Sequence, residues 1–162
     1  MKTRGVLLAA ALVLLCNARC GAEEDFMKYN VPPGPGETVS VQELKQEIDS
    51  GTPPVVFDAR NVRGYQVGHI AGAKLPLSME YYQRVQLYQN QQAPEGPDTQ
   101  AWLERELKAM PREWKVVTYC GNNCNASGVL MRRLQVLGFK DVHAMKPGFE
   151  AWQAAGMPVE KE

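Results

Sequence analysis

Apolar residues recur along this chain in two periods. Val116-Val117-Thr118-Tyr119 is a continuous β-branched and aromatic run, the mark of a strand buried on both faces, and Leu130, Leu134 and Leu137 follow at helical spacing after Ser127. The same alternation runs through the rest of the chain. Ser40 and Glu43 form a capping box ahead of Val41, Leu44 and Ile48 on one helix face, and Gly51 ends that helix. Val55-Val56-Phe57 reads as a strand, Val62 to Val67 as a short helix closed by Gly68, and Ala73 to Leu75 as a third strand. Tyr81, Tyr82, Val85 and Tyr88 predict a helix, residues 89–97 a loop, and Leu103, Leu107 and Met110 a second helix capped by Asp98. Asp141 to Met145 is the last predicted strand, and a final helix opens at Gly148 and stops at Gly156. Strands alternating with helices predict an α/β fold, a mostly parallel sheet with helices on both faces.

The amino-terminal stretch departs from this pattern. Lys2 and Arg4 precede an apolar run from Val6 to Leu15, and Cys20-Gly21-Ala22 ends in a small residue before Glu23. Residues 1–22 therefore read as a secretory signal peptide cut after Ala22, with an apolar run too short to span a bilayer. An acylated Cys16 or Cys20 is disfavoured, because Leu15 or Arg19 stands where a small residue is wanted. The expected location is periplasmic or secreted, with no membrane partner after cleavage. Residues 23–37 carry Pro32, Pro33 and Pro35 with Gly34 and Gly36 between them, and no apolar period, so they read as an extended tether or surface strap. The folded domain is expected over residues 38–162.

Removing 22 residues from 162 leaves 140, enough for one core. Lys2, Arg4 and Arg19 leave with the leader, so 15 basic residues face 18 acidic ones, a net charge of −3. That balance argues against nucleic acid and anionic membrane as partners.

Two cysteines then remain, Cys120 and Cys124, both in the stretch between the central strand and its helix. Residues Gly121, Asn122, Asn123, Cys124, Asn125 and Ala126 are small or polar, so the loop is expected to curl and turn backbone N–H groups toward the sulfur of Cys120. The following helix, from Ser127, would add its positive end. Such surroundings stabilise a thiolate, a persulfide or an oxyanion, and a reactive thiol is expected to be partly exposed there. Cys124 admits three readings: a structural disulfide partner, a second redox thiol, or a bystander. A structural bridge over so short a loop contributes least by chain entropy, and zinc finds no familiar ligand spacing among Cys120, Cys124, His69 and His143. Phosphatase chemistry would want an arginine six residues after the nucleophile, where Ala126 stands.

Asp58 and Arg60 sit at the carboxyl end of a strand, where open α/β sheets keep their ligands, and read as rim or as a buried pair holding strand ends. His69 is expected to bond backbone in a turn rather than to serve as a base. Arg132 and Arg133 are expected on a solvated helix face, and Tyr81, Tyr82 and Tyr88 in packing.

Several of these stretches together resemble the rhodanese family of single-domain sulfurtransferases. Val55 to Arg60 followed by Gly68-His69-Ile70-Ala71-Gly72-Ala73 is similar to its first signature, Tyr119-Cys120 to its active-site stretch, and Gly148 to Trp152 through Gly156-Met157-Pro158-Val159 to its last. The resemblance implies a five-stranded parallel sheet and a cysteine, here Cys120, that accepts a sulfane sulfur from thiosulfate or polysulfide and passes it to a thiol or cyanide. No cofactor or metal is expected, and a protein sulfur acceptor or reductant is a candidate partner. Asn125 stands where many family loops are basic, Gly64 where a glutamate is common, and Ser127 closes a loop one residue longer than usual. These departures weaken a thiosulfate-specific assignment more than persulfide chemistry. Two other functions fit the residues: a thiol–disulfide redox protein using Cys120 and Cys124, and a non-catalytic binding module of the same fold.

Overall fold

A computed structural model describes residues 27–162; the expected leader, with Cys16 and Cys20, and the start of the proline-rich segment lie outside the described residues. Four parallel strands make the central sheet in the order β1 (Thr38–Val39), β5 (Asp141–Met145), β4 (Lys115–Tyr119), β2 (Val55–Asp58). The β-branched run of β4 takes the middle position because it is apolar on both faces. Val117 and Tyr119 enter one core, with Val41 and Leu44 of α1 (Val41–Asp49) and Phe149 and Trp152 of α6 (Phe149–Ala154). Val116 enters the other, with Tyr81 of α3 (Met79–Gln89), Leu103 of α4 (Thr99–Glu106), and Leu130, Met131 and Leu134 of α5 (Ala126–Val136). Leu134 is wholly buried, and Leu134→Ala would cost about 2–5 kcal/mol.

The helix starts follow their caps. Ser40 and Glu43 close the expected capping box on α1, Asn61 caps α2 (Val62–Val67), and Asp98 accepts from the N–H groups of Gln100 and Ala101. Tyr81 bonds Thr99 at 2.8 Å and packs edge-on against Tyr82 and Trp102, and Tyr88 lies against Gly96, so this tyrosine stripe is packing.

Three expectations need correction. The third strand near Ala73–Leu75 is a single parallel bridge between Phe57 and Lys74, held by two backbone bonds of 2.9 Å. Pro76 lacks an N–H and stops the edge from running on, so the fifth strand of the sheet is one residue deep. The helix carrying Leu103 ends at Glu106, although Leu107 and Met110 still pack on the core. Arg133 is buried rather than solvated, with its guanidinium 4.2 Å from the Tyr29 ring. Arg132 is half-buried, its two terminal nitrogens on the carboxylate of Glu37 and on the carbonyl of Pro32. The described part of the proline-rich segment is thus a strap clasped to α5, where a helix face open to water was expected.

Two short strands outside the sequence pattern, β3 (His69–Ile70) and β6 (Val159–Glu160), pair antiparallel and fasten the carboxyl terminus beside α2.

Candidate active site

Strand parity divides the carboxyl end of β4 between two faces. Thr118 and Cys120 both reach Ser127 at the start of α5: Thr118 donates to its carbonyl at 2.9 Å, and the Cys120 sulfur lies 3.3 Å from its hydroxyl. Tyr119, between them, points the other way and donates to Asp58 Oδ2 at 2.6 Å.

Asp58 is the centre of that second face. It is fully buried, takes two nitrogens of Arg60, and accepts the Arg60 backbone N–H at 2.9 Å. Arg60 also donates to the Gly68 carbonyl at 2.6 Å and lies 3.9 Å from the Phe149 ring. Burial, and then the Asp58 charge, push the Tyr119 phenol up, so it stays a donor. The set joins β2, β4, α2 and α6 beneath the loop, a structural scaffold. His69 is part of it: Nδ1 lies 2.9 Å from the Tyr65 carbonyl, the ring stacks on Tyr65 at 3.8 Å, and Nε2 is 3.7 Å from Glu160. Its contacts are with backbone and with neighbouring side chains of this set.

The sulfur itself differs from expectation in two respects. Cys120 is 1% exposed, and the loop turns carbonyls toward it: the thiol donates to Cys124 O at 3.0 Å, with Gly121 O at 3.6 Å. The loop reverses at Asn123, which has a φ of 56°, so its N–H groups are spread rather than convergent. The Asn122 N–H donates to Glu150 Oε2 at 2.7 Å, and the Ala126 N–H to Cys124 Sγ at 3.4 Å. Burial pushes the Cys120 thiol up; the Ser127 hydroxyl and backbone N–H pull it down, and Cys124 adds to the rise. Both cysteines are free thiols. Asn125 sits at the N-cap of α5 but makes no side-chain cap; its amide donates to Asn30 of the strap.

Two residues at this loop escaped the sequence reading. Lys146, just past β5, donates from Nζ to Cys124 O at 3.0 Å, so the carbonyl facing the sulfur carries a cation on its other lone pair. Glu150, in the first turn of α6, holds the Asn122 N–H. The signal for both was topological, since β5 neighbours β4 and ligands of parallel sheets gather at strand carboxyl ends. Glu150 also lines a cleft of about 440 Å³ with Arg60, Asn61, Arg63 and Phe149. A cavity of about 680 Å³ between Glu47 and Trp114 lies at the opposite, amino-terminal end of β2 and β4. Among the described residues no three His, Cys, Asp or Glu side chains are grouped to hold a metal ion, and no helix is long and apolar enough to cross a membrane.

Residues 40–155 match a family model described as Rhodanese-like domain. Among solved structures, the chain is similar to a protein from Bacillus halodurans, with 21% identity, 88% of this chain and 86% of that one covered, and a TM-score of 0.58. It is also similar to a rhodanese-like domain from Anabaena sp., with 20% identity, coverages of 78% and 80%, and a TM-score of 0.56. A thiosulfate sulfurtransferase from Pseudomonas aeruginosa superposes at 13% identity and a TM-score of 0.53, with 77% of this chain and 20% of that one covered. No curated protein matches.

Proposed function

The chain belongs to the rhodanese-like domain family, and from that premise we propose that it is an exported sulfurtransferase in which Cys120 carries sulfur as a persulfide. The Cys120 thiolate attacks the outer sulfur of a sulfane donor. With thiosulfate the donor's S–S bond breaks, sulfite leaves with the bonding pair, and Cys120 holds the terminal sulfur. A thiophile, cyanide or a thiol, then attacks that sulfur and the thiolate returns. The observation that carries the reading is the placement of Cys120 at the carboxyl end of the central strand, against Ser127 and within one carbonyl of Lys146.

The charge balance favours a persulfide or polysulfide over a dianion. No Lys or Arg lies between Gly121 and Ser127, and Lys146 is the cation bonded to the loop. The thiol is buried beneath the exposed Asn122–Asn123 turn, whose Asn122 N–H is bonded to the Glu150 carboxylate. The donor and acceptor are small sulfur compounds, with a protein acceptor or reductant able to take the second role.

Cys124 supports a second step. Its carbonyl accepts from the Cys120 thiol at 3.0 Å, which places the two residues side by side in the loop. As a thiolate it attacks Sγ of the Cys120 persulfide; hydrosulfide leaves, a Cys120–Cys124 disulfide forms, and an external thiol reductant reopens it. Export follows from the leader read in residues 1–22 and is checked by sequencing the amino terminus of the exported protein, expected at Glu23. Catalysis is tested by thiocyanate formation from cyanide with Cys120→Ser. At neutral pH the variant should melt with the wild type and form none; equal turnover would remove Cys120 from the mechanism, and no thiocyanate from either protein would leave a binding module of the same fold.

A further inference from the structure

The Cys124 carbonyl oxygen serves two donors. The Cys120 thiol and the Lys146 ammonium each lie 3.0 Å from it, so sulfur and nitrogen can be no farther apart than twice that length. A carbonyl dipole aimed at a sulfur opposes negative charge there, and a cation on the same oxygen offsets it. The backbone fixes Lys146 in this place. Its N–H bonds the Val39 carbonyl at 3.1 Å, which holds it at the carboxyl end of β5, next to the central strand that carries Cys120.

Other lysines of the chain are neutralised: Lys45, Lys115 and Lys140 pair with Asp49, Glu47 and Glu113. Lys146 is half-buried, yet among the described residues its ammonium has no carboxylate partner. An ammonium carries three donors, and this one bonds a neutral carbonyl. The charged groups around the loop are committed elsewhere, Arg60 to Asp58 and the Gly68 carbonyl, Glu150 to the Asn122 N–H. No Lys or Arg lies between Gly121 and Ser127. A partly desolvated positive charge thus stands beside the sulfur with nothing in the described chain to balance it.

We propose that Lys146 is a specificity-determining residue, the cation that makes the Cys120 site prefer a negatively charged sulfur donor to a neutral one. The loop contributes no such charge of its own, so the preference reaches it from the end of β5.

The inference rests on Cys120 as the reacting thiol, and its test needs no sulfur transfer. Site-resolved alkylation of Cys120 in the full chain is followed with iodoacetate, an anion, and with iodoacetamide, its neutral counterpart of nearly the same size. At one fixed pH both reagents meet the same thiolate fraction and the same burial, which cancel in the ratio of their rates. Lys146→Gln and Lys146→Met should each lower the iodoacetate-to-iodoacetamide ratio about three- to fivefold, the scale of one partly solvated ion pair. Lys146→Arg, which keeps the charge, should keep the ratio. Lys140→Gln removes an equal charge just before β5, at the opposite end of that strand, and should leave the ratio unchanged. Both rates falling together in the Gln and Met variants, with the ratio held, would overturn the proposal and leave Lys146 a structural residue. An equal fall in Lys146→Arg or in Lys140→Gln would overturn it too, assigning the effect to packing or to net charge. If the ratio falls as expected while no sulfur loads on Cys120, the anion preference stands and the sulfurtransferase reading fails; if sulfur loads and the ratio does not move, the reverse holds.

Discussion

A methyl group on Gly148 would stand 2.8 Å from the carbonyl oxygen of Cys120, closer than side-chain carbons approach backbone. Gly148 has a φ of 132°, which side chains disfavour, and the next residue, Phe149, donates its N–H to that same carbonyl at 2.9 Å. The start of α6 is thus the floor under Cys120. Gly148→Ala should lower stability by about 1–3 kcal/mol from backbone conformation alone, with the collision added. Thermal unfolding checks it, and sulfur loading should fall in parallel; a variant that melts with the wild type would show that the floor yields.

The pH dependence follows from burial of the thiol. Cys120 is held above the ordinary thiol range by burial, which Ser127 only partly offsets. The folded state therefore favours the neutral thiol. The stability tied to it is complete below the unfolded value, about 8.5, and is lost as pH rises through the higher folded value. Reactivity gains over the same window as thiolate forms. Sulfur loading should keep climbing above about pH 8.5 while the wild type loses stability, and Cys120→Ser should lack that loss. Loading that levels off in the neutral range would contradict this picture.

Acid acts on the strap. Glu37 is held down to about 2, first by its hydrogen bonds from Arg132, then by the Gly34 N–H and Gln135. A lowered carboxyl contributes stability above its unfolded value, about 4.3, and loses it as pH falls through the folded one. Glu37→Gln should be less stable than wild type at neutral pH by roughly 1 kcal/mol, since the pair is partly solvated. The two melting curves should converge near pH 2; a gap that persists there would assign the loss to packing.

Cys124→Ser tests the proposed resolving step. A resolving thiol predicts a longer-lived persulfide in the variant after a single sulfur loading, and an internal disulfide in the wild type alone. Identical lifetimes with no disulfide in either protein would leave Cys120 as a lone sulfur carrier.

Much of this architecture was legible in the chain because it is written locally. Ser40 with Glu43, Asp98 and the run from Val116 to Tyr119 each declare their element through a cap or a period, and the structure keeps them. The misreadings share a cause. The bridge at Lys74, the two-residue strands β1, β3 and β6, and the burial of Arg133 depend on what arrives from elsewhere in the chain. Arg133 looked like a solvated cation because helical spacing places it off the leucine stripe; Tyr29, more than a hundred residues earlier, covers it. At the site, Cys120 and Ser127 were readable from the loop, whereas Lys146, Glu150 and Asn30 reach it from β5, α6 and the strap. The direction of the loop's dipoles was also hidden, since it turns on one positive φ at Asn123.

The proposed mechanism requires sulfur to become covalently attached to Cys120. Intact-mass analysis of the purified protein before and after exposure to a sulfane donor, followed by cyanide, tests it most directly. The expected result is a gain of one sulfur atom that localises to Cys120, disappears with cyanide and does not form in Cys120→Ser. A mass that never changes, or a gain that persists in Cys120→Ser, would contradict it.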